Sequence, residues 1–163
     1  MEKVNTASNP DLLLRPAGLL DVPGIFSLLK QYSDKAVLLP RNESDIYGAL
    51  REFFVVHDTT ANKLAACSAL QIFTKDLGEV RSLAVSPDYL RQGLGKQMVE
   101  TVEAEARQIG LTKLMALTYE VEFFRQIGYS EVDMQELPEK VWGACINCHK
   151  FLNCDEIAVL KYL

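Results

Sequence analysis

Three groups of residues in this chain have the types and spacing to do chemistry. The first is Leu90-Arg91-Gln92-Gly93-Leu94-Gly95-Lys96. Two glycines at this spacing let a loop turn sharply and aim successive backbone N–H groups inward, and a helix that follows adds the positive end of its dipole. Such a nest binds phosphate oxygens, and Arg91 and Lys96 add local charge. The run lacks the third glycine of a dinucleotide fingerprint and the Gly-Lys-Ser/Thr of a P-loop. A plain strand-to-helix turn is the simpler alternative. The second group is Cys145, Cys148 and His149, followed by Cys154. Cys-x-x-Cys-His spells a c-type haem attachment, but no export signal accompanies it. Three thiols and an imidazole can also hold zinc tetrahedrally, although a second Cys-x-x-Cys is missing. Reduced thiols packing as small hydrophobes are the favoured reading. The third group is Glu79 and Arg81, two residues apart and so on one side of an extended strand. On residue type alone the carboxylate is a strand-end charge, in solvent or paired with a neighbouring base.

The elements that must position these groups alternate. Leu12–Arg15 reads as a first strand. Asp21 can cap a helix with Pro23 just inside it, and Ile25, Phe26, Leu28, Leu29 and Tyr32 give that helix an apolar stripe. Asn42 or Ser44 opens a second helix, with Ile46, Leu50 and Phe53 about a turn apart. Phe53–His57 and Leu64–Phe73 read as hairpin strands around the polar Asp58–Lys63 turn. Gly78–Val85 is a strand stopped by Ser86-Pro87-Asp88. Gly95–Ile109 is the clearest helix: Met98, Val99, Val102, Ala106 and Ile109 share a face that Glu100, Glu103, Glu105 and Arg107 largely avoid. Lys113–Leu117, Tyr129–Val132 and Glu156–Leu163 are further strands, with a short helix at Val121–Ile127 before Gly128. This rhythm means α/β or α+β with a mixed central sheet.

Composition narrows the function classes. The 163 residues carry 17 basic and 22 acidic side chains, a formal net charge of −5, and are 48% apolar. That length suits one domain with its own core, here residues 12–163 behind a flexible 1–11 segment. The acidic balance speaks against a sequence-independent grip on nucleic acid. No apolar run is long enough for a membrane span, and no secretory signal is visible. A cytoplasmic protein with reduced cysteines is expected.

The run Val80–Gly95 resembles the coenzyme A site of the GNAT superfamily of N-acetyltransferases. The usual signature there is Arg/Gln-x-x-Gly-x-Gly/Ala. Here Leu90 holds the first position and arginine comes one residue later, a departure that touches the first side-chain contact and not the backbone cradle. Phe123-Phe124-Arg125-Gln126-Ile127-Gly128-Tyr129 is similar to the superfamily's short helix ending in Gly-Phe/Tyr. Gly78–Val85, Leu117–Phe124 and Glu136-Leu137-Pro138 resemble the amino-acid N-acetyltransferase branch, which includes N-acetylglutamate synthases. Tyr32–Leu39 resembles its short, kinase-less form.

The resemblance implies a GNAT fold: a mixed, mostly antiparallel sheet of six or seven strands, splayed at the cofactor site and flanked by four or five helices. It implies acetyl-CoA as co-substrate, held by Leu83, Ala84 and Val85 of the fourth strand, by Arg91, Gln92, Gly93, Leu94, Gly95 and Lys96 of the loop, and by Phe124. Backbone N–H groups of that strand would face the developing oxyanion. Glu79 stands where many members keep their base. The superfamily's tyrosine acid is replaced by Phe124, and Tyr119 could substitute for it. A dicarboxylic acceptor needs cationic partners; Arg15, Lys35 and Arg81 are the candidates, each of which could instead be a surface cation. Long forms of the branch carry basic residues where this chain has Glu52 and Glu120. Either the carboxylate site is relocated to Lys35 and Arg81, or the acceptor has an amide or amine side chain, as in glutamine. The leading expectation is acetyl transfer to the α-amino group of glutamate, the first step of arginine biosynthesis, by direct attack in a ternary complex. Another small amine is one alternative, and a non-catalytic acyl-CoA-binding or metal-sensing regulator is another. An exposed C-terminal strand and superfamily habit point to a homodimer.

Overall fold

The structure, a computed structural model, describes residues 4–6, 9–137 and 154–163. The chain forms two compact units, Met1–Leu70 with Arg81–Val102, and Gln71–Val80 with Glu103–Leu163.

The first unit begins with β1 (Val4–Thr6), β2 (Asn9–Pro16) and α1 (Val22–Ser33). It continues with α2 (Glu43–Gly48), β3 (Phe53–Asp58) and β4 (Lys63–Ile72). It holds the second half of β5 (Leu77–Val85) and most of α3 (Leu94–Ile109). Its strands run β1-β2-β3-β4-β5, with antiparallel β1/β2, β2/β3 and β3/β4 pairs. β1 and the start of β2 fall in the stretch read from sequence as a flexible lead-in. There Thr59 donates to the Asp11 carbonyl through both its amide and its hydroxyl, continuing the β2/β3 edge. Among the described residues, with β1 counted, the strands number eight and the α-helices four.

Val22, Ile25, Leu28 and Leu29 of α1 pack on Phe53, Val55, Cys67, Ala69 and Ala84, all buried. This is the face that the i, i+3, i+4 apolar spacing dictates. Asp21 does not cap α1 with its side chain. Its carboxylate accepts from Arg15 Nη1 at 2.5 Å, Arg15 Nη2 at 2.9 Å and the Gly18 amide at 2.7 Å. Asn42 does cap α2, accepting from the Asp45 amide at 2.8 Å. That helix ends at Gly48, and a 3-10 turn at Leu50–Glu52 follows. Phe53 therefore belongs to β3, where it is buried, and not to a helical face. In the 58–63 turn, Asp58 accepts from the amides of Thr60 and Ala61 at 2.9 and 2.8 Å and from the Tyr89 hydroxyl at 2.5 Å. The Tyr89 bond and those amides hold the Asp58 carboxyl below its ordinary value.

The second unit contains the first half of β5 and the end of α3, then β6 (Lys113–Thr118), α4 (Val121–Gln126), β7 (Ser130–Val132) and β8 (Ile157–Tyr162). Its order is β5-β6-β8-β7, with β5/β6 parallel and the other pairs antiparallel. The C-terminal strand is thus flanked on both sides, and it is not the exposed edge from which a dimer was argued. Glu103, read as lying off the apolar face of α3, is buried at 4% exposure. Its carboxylate accepts from Lys161 Nζ at 3.0 and 3.1 Å, while Lys161 also donates to the Ile127 carbonyl at 3.0 Å. Ile109, expected on the buried face, is 48% exposed in the last turn.

Burial draws the Asp21 carboxyl upward, but the bonds from Arg15 and Gly18, with the Arg15 charge, outweigh it and hold the group below its ordinary value of 3.8. A group depressed in the folded state stabilises above its unfolded value and loses that contribution as pH falls through the folded one. Asp21→Asn is therefore expected to cost about 1.5–3 kcal/mol at pH 7, the range for hydrogen bonds to charged groups. In urea melts the gap to the parent protein should stay constant down to about pH 4 and close below it. A gap unchanged at low pH would show that the carboxylate charge is not what holds this corner.

Candidate active site

The site is built around β5, which does two things that its sequence does not announce. Its pairing with β6 covers only Leu77, Gly78 and Glu79, although the strand runs on to Val85. Three residues later Ser82 has φ +53°, in the left-handed region. A non-glycine residue there costs on the order of 1–2 kcal/mol and breaks the alternation of the strand.

Side chains meet the backbone around that break. The Ser68 hydroxyl donates to the Arg81 carbonyl and the Cys67 thiol to the Ser82 carbonyl, each at 3.4 Å. The Tyr32 hydroxyl donates to the Val85 carbonyl, and the Ser86 amide donates to the Ala65 carbonyl at 2.8 Å. Burial pushes the Cys67 thiol up to about 12, against the pull of the Ala84 amide and Arg41. It is a neutral hydrogen-bonding core residue and not a nucleophile. Leu83 and Val85 are half-buried, and Ala84 is buried at 4% exposure.

A 3-10 turn at Pro87–Tyr89 leads from β5 into the glycine loop. Lys63 anchors that turn from β4, bonding Asp88 at 2.7 Å and lying 5.3 Å from the Tyr89 ring centre. Leu90 is extended and 52% exposed. Arg91 takes φ +63° and Gly93 φ +77°, so the chain reverses twice before Leu94 starts α3. The left-handed arginine was not visible in the sequence pattern. The Gln97 amide donates to the Gly93 carbonyl. The amides of Leu94, Gly95 and Lys96 belong to the first turn of a 16-residue helix and have no intrahelical acceptors. Arg91, Gln92 and Gly93 are exposed, as is Lys96, whose ammonium lies 3.8 Å from Glu100. This is an anion cradle of backbone amides with two cations at its rim.

The cationic candidates separate in the first unit. The Arg15 guanidinium is turned onto Asp21, and that bond raises its pKa. Lys35 is exposed in the turn that ends α1. Arg81 is half-buried on β5. Sequence reasoning missed Arg41. This half-buried side chain donates from Nη1 to Ser82 Oγ at 3.0 Å and lies 5.2 Å from the Phe53 ring centre. Burial first, and then the Arg81 charge, push the Arg41 pKa down, while Glu52, Asp45 and Cys67 oppose them. Burial raises the Glu52 pKa against the pull of Arg41 and Arg81. Arg41, Arg81 and Glu52 therefore interact electrostatically beside the Ser82 break. A lone arginine in the connector between α1 and α2 offered no sequence signal; its partner is 41 residues away.

In the second unit Glu79 is buried at 4% exposure in the paired part of β5. Phe124 is also buried, edge-on to Phe123 and Tyr129 at 5.1 and 5.2 Å. Tyr119, 39% exposed, donates to Asp155 Oδ1 at 2.6 Å. Glu120 is exposed. Of the zinc candidates, Cys145, Cys148 and His149 lie outside the described residues, and Cys154 is an exposed free thiol. Among the described residues no three His, Cys, Asp or Glu side chains come together as a metal site, and no helix is long and apolar enough to cross a membrane.

Comparison with known proteins gives this geometry its relatives. The chain is 34% identical over 153 residues to an uncharacterized N-acetyltransferase of Chlorobaculum tepidum, covering 94% of this chain and 97% of that one. It is 36% identical over 122 residues to an amino-acid acetyltransferase of Mycobacterium tuberculosis, covering 74% and 70%. Against an amino-acid acetyltransferase of an Enterobacter species the identity is 34%, but the chain spans only 28% of that protein's length. Among solved structures, Rv2747 of Mycobacterium tuberculosis in complex with CoA and NLQ superposes with TM-score 0.78 at 30% identity, covering 92% of this chain and 98% of that one. N-acetylglutamate synthase of Neisseria gonorrhoeae, complexed with coenzyme A and N-acetyl-glutamate, gives 0.80 at 26%, covering 93% and 35%. The acetyltransferase (GNAT) family description matches residues 24–129, and the chain belongs to that family of acyl-transferring enzymes.

Proposed function

We propose that this enzyme transfers the acetyl group of acetyl-CoA to the α-amino group of an L-amino acid, with glutamate as the favoured acceptor, at the first step of arginine biosynthesis. The reading includes a cytoplasmic homodimer. The observation that carries the acceptor class is the Arg41–Arg81–Glu52 group. Two half-buried guanidiniums beside Ser82 suit a ligand that brings carboxylates, because charge-assisted bonds to Arg are strongest out of bulk water. The relatives named amino-acid acetyltransferase support the same class.

In this reading Leu83, Ala84 and Val85 hold the acyl donor along β5, and the loop Arg91–Lys96 takes its phosphates. Phe124 contributes to the donor site from its buried position. Glu79 accepts the amine proton, directly or through water. The free amine attacks the thioester in a ternary complex, and strand amides stabilise the oxyanion. Arg41 and Arg81 hold the acceptor's carboxylates, and Lys35 supplies a further cation. Glu52 supports a second reading: a carboxylate amid the arginines can accept from the amide of glutamine, which carries one carboxylate fewer than glutamate.

Thiol release from acetyl-CoA, screened over the twenty amino acids, should be fastest with glutamate. Fastest release with glutamine would select the second reading, and Glu52→Gln should then shift preference toward glutamate. Arg41→Ala should raise the acceptor KM roughly tenfold to a hundredfold, as expected for losing a charge-assisted bond of about 1.5–3 kcal/mol, and leave the acetyl-CoA KM unchanged. Unchanged acceptor KM would place the carboxylate site elsewhere. Ser82→Gly should relieve the left-handed backbone while releasing Arg41. The expected result is a melting temperature no lower than the parent's with an acceptor KM raised several-fold. Glu79→Gln should lower kcat about 100-fold or more; a kcat within about threefold of the parent's would remove Glu79 as base.

A further inference from the structure

Tyr32, in the last turn of α1, donates its hydroxyl to the Val85 carbonyl. The edge of β5 on which that carbonyl lies follows from its neighbours. The Ser86 amide bonds Ala65 on β4, and the Ala84 amide faces the Cys67 thiol, also on β4. Residues two apart in a strand turn their backbone groups to one edge, and the residue between them turns its own to the other. Val85 therefore faces away from β4, on the edge whose pairing with β6 ends at Glu79. On the reading proposed above this edge carries the thioester, and the inference rests on that reading. Phe124 is a buried phenylalanine and has no hydroxyl to donate.

We infer that Tyr32 is the acid that protonates the departing thiolate. As the amine nitrogen bonds to the acetyl carbon, its proton passes to Glu79. As the carbon–sulfur bond breaks, the sulfur takes the bonding pair and the Tyr32 hydroxyl proton, giving the CoA thiol. The phenolate then regains a proton from solvent while Glu79 releases one, so charge and protons balance over the cycle. The Val85 carbonyl aims the hydroxyl along the donor edge before the donor binds. Burial raises the Tyr32 pKa, so the proton is in place at neutral pH. Cys67 is the titratable group that faces it from β4. Arg81 lies four residues before Val85 on β5, and Lys30 and Asp34 of α1 are paired with each other at the surface.

The test is steady-state thiol release by Tyr32→Phe and by enzyme carrying 3,5-difluorotyrosine at position 32. Tyr32→Phe should lose about 100-fold in kcat, within the range for a general acid, and keep its acetyl-CoA KM within about twofold. Fluorination should bring an alkaline fall in kcat to lower pH by as much as it lowers the phenol pKa. A kcat for Tyr32→Phe within about threefold of the parent, or an alkaline limb that fluorination does not move, would overturn the assignment. Should Tyr32→Phe fold poorly, the fluorinated enzyme keeps its hydroxyl and still decides. If no amino acid accepts acetyl but CoA thiol is released by water, the acceptor reading fails by itself, and the same variants are read on hydrolysis.

Discussion

A strand that is to present backbone groups to a ligand cannot spend them all on its neighbours, yet a buried N–H or C=O left without a partner costs on the order of 1–3 kcal/mol. β5 meets this constraint by changing partners along its length. Up to Glu79 it pairs with β6, and beyond it the left-handed turn at Ser82 breaks the regular alternation. From there Ser68, Cys67 and Tyr32 bond the carbonyls of Arg81, Ser82 and Val85. Ser68 and Cys67 reach their carbonyls from β4, and Tyr32 reaches Val85 on the opposite edge of the strand.

The same break sets the place of Arg41. A left-handed Ser82 projects its hydroxyl where a regular strand residue would not, and Arg41 bonds to it while stacking on Phe53. One strained residue thus sets both the backbone edge of β5 and the place of a guanidinium. This economy makes Ser82 sensitive to change: glycine is easier for the backbone and removes the arginine's anchor, while a β-branched residue keeps a side chain at a φ it tolerates poorly.

Element types were legible in the sequence because each carried its own period. The α1 stripe, the Asn42 cap, the turn at Asp58 and the α3 face from Met98 to Ala106 are local patterns. The glycine loop was legible as a turn because Gly93 takes a left-handed φ that other side chains disfavour. What escaped was long-range. The Arg41–Ser82 bond spans 41 residues, Glu103–Lys161 spans 58 and Tyr32–Val85 spans 53. Asp21 looked like a cap by position, but Arg15 six residues earlier competes for its carboxylate. Glu103 looked solvated by type, and only the C-terminal strand brings the lysine that lets it be buried.

The net charge of −5 sits oddly with a polyanionic co-substrate until range is considered. At physiological ionic strength exposed charges are screened beyond about 8 Å, so the total governs solubility more than local binding. The amides at the start of α3 carry no formal charge and need no counter-ion, and the exposed Arg91 and Lys96 flank them in the chain. The arginines beside Ser82 obey the opposite logic. Arg41 and Arg81 are half-buried, where attraction and repulsion both strengthen. Burial first, and then the Arg81 charge, lower the Arg41 pKa, and Glu52 opposes them. On the proposed reading an acceptor carboxylate enters the same positive field as Glu52, and the balance between the two, more than the number of arginines, sets how strongly a second carboxylate is preferred.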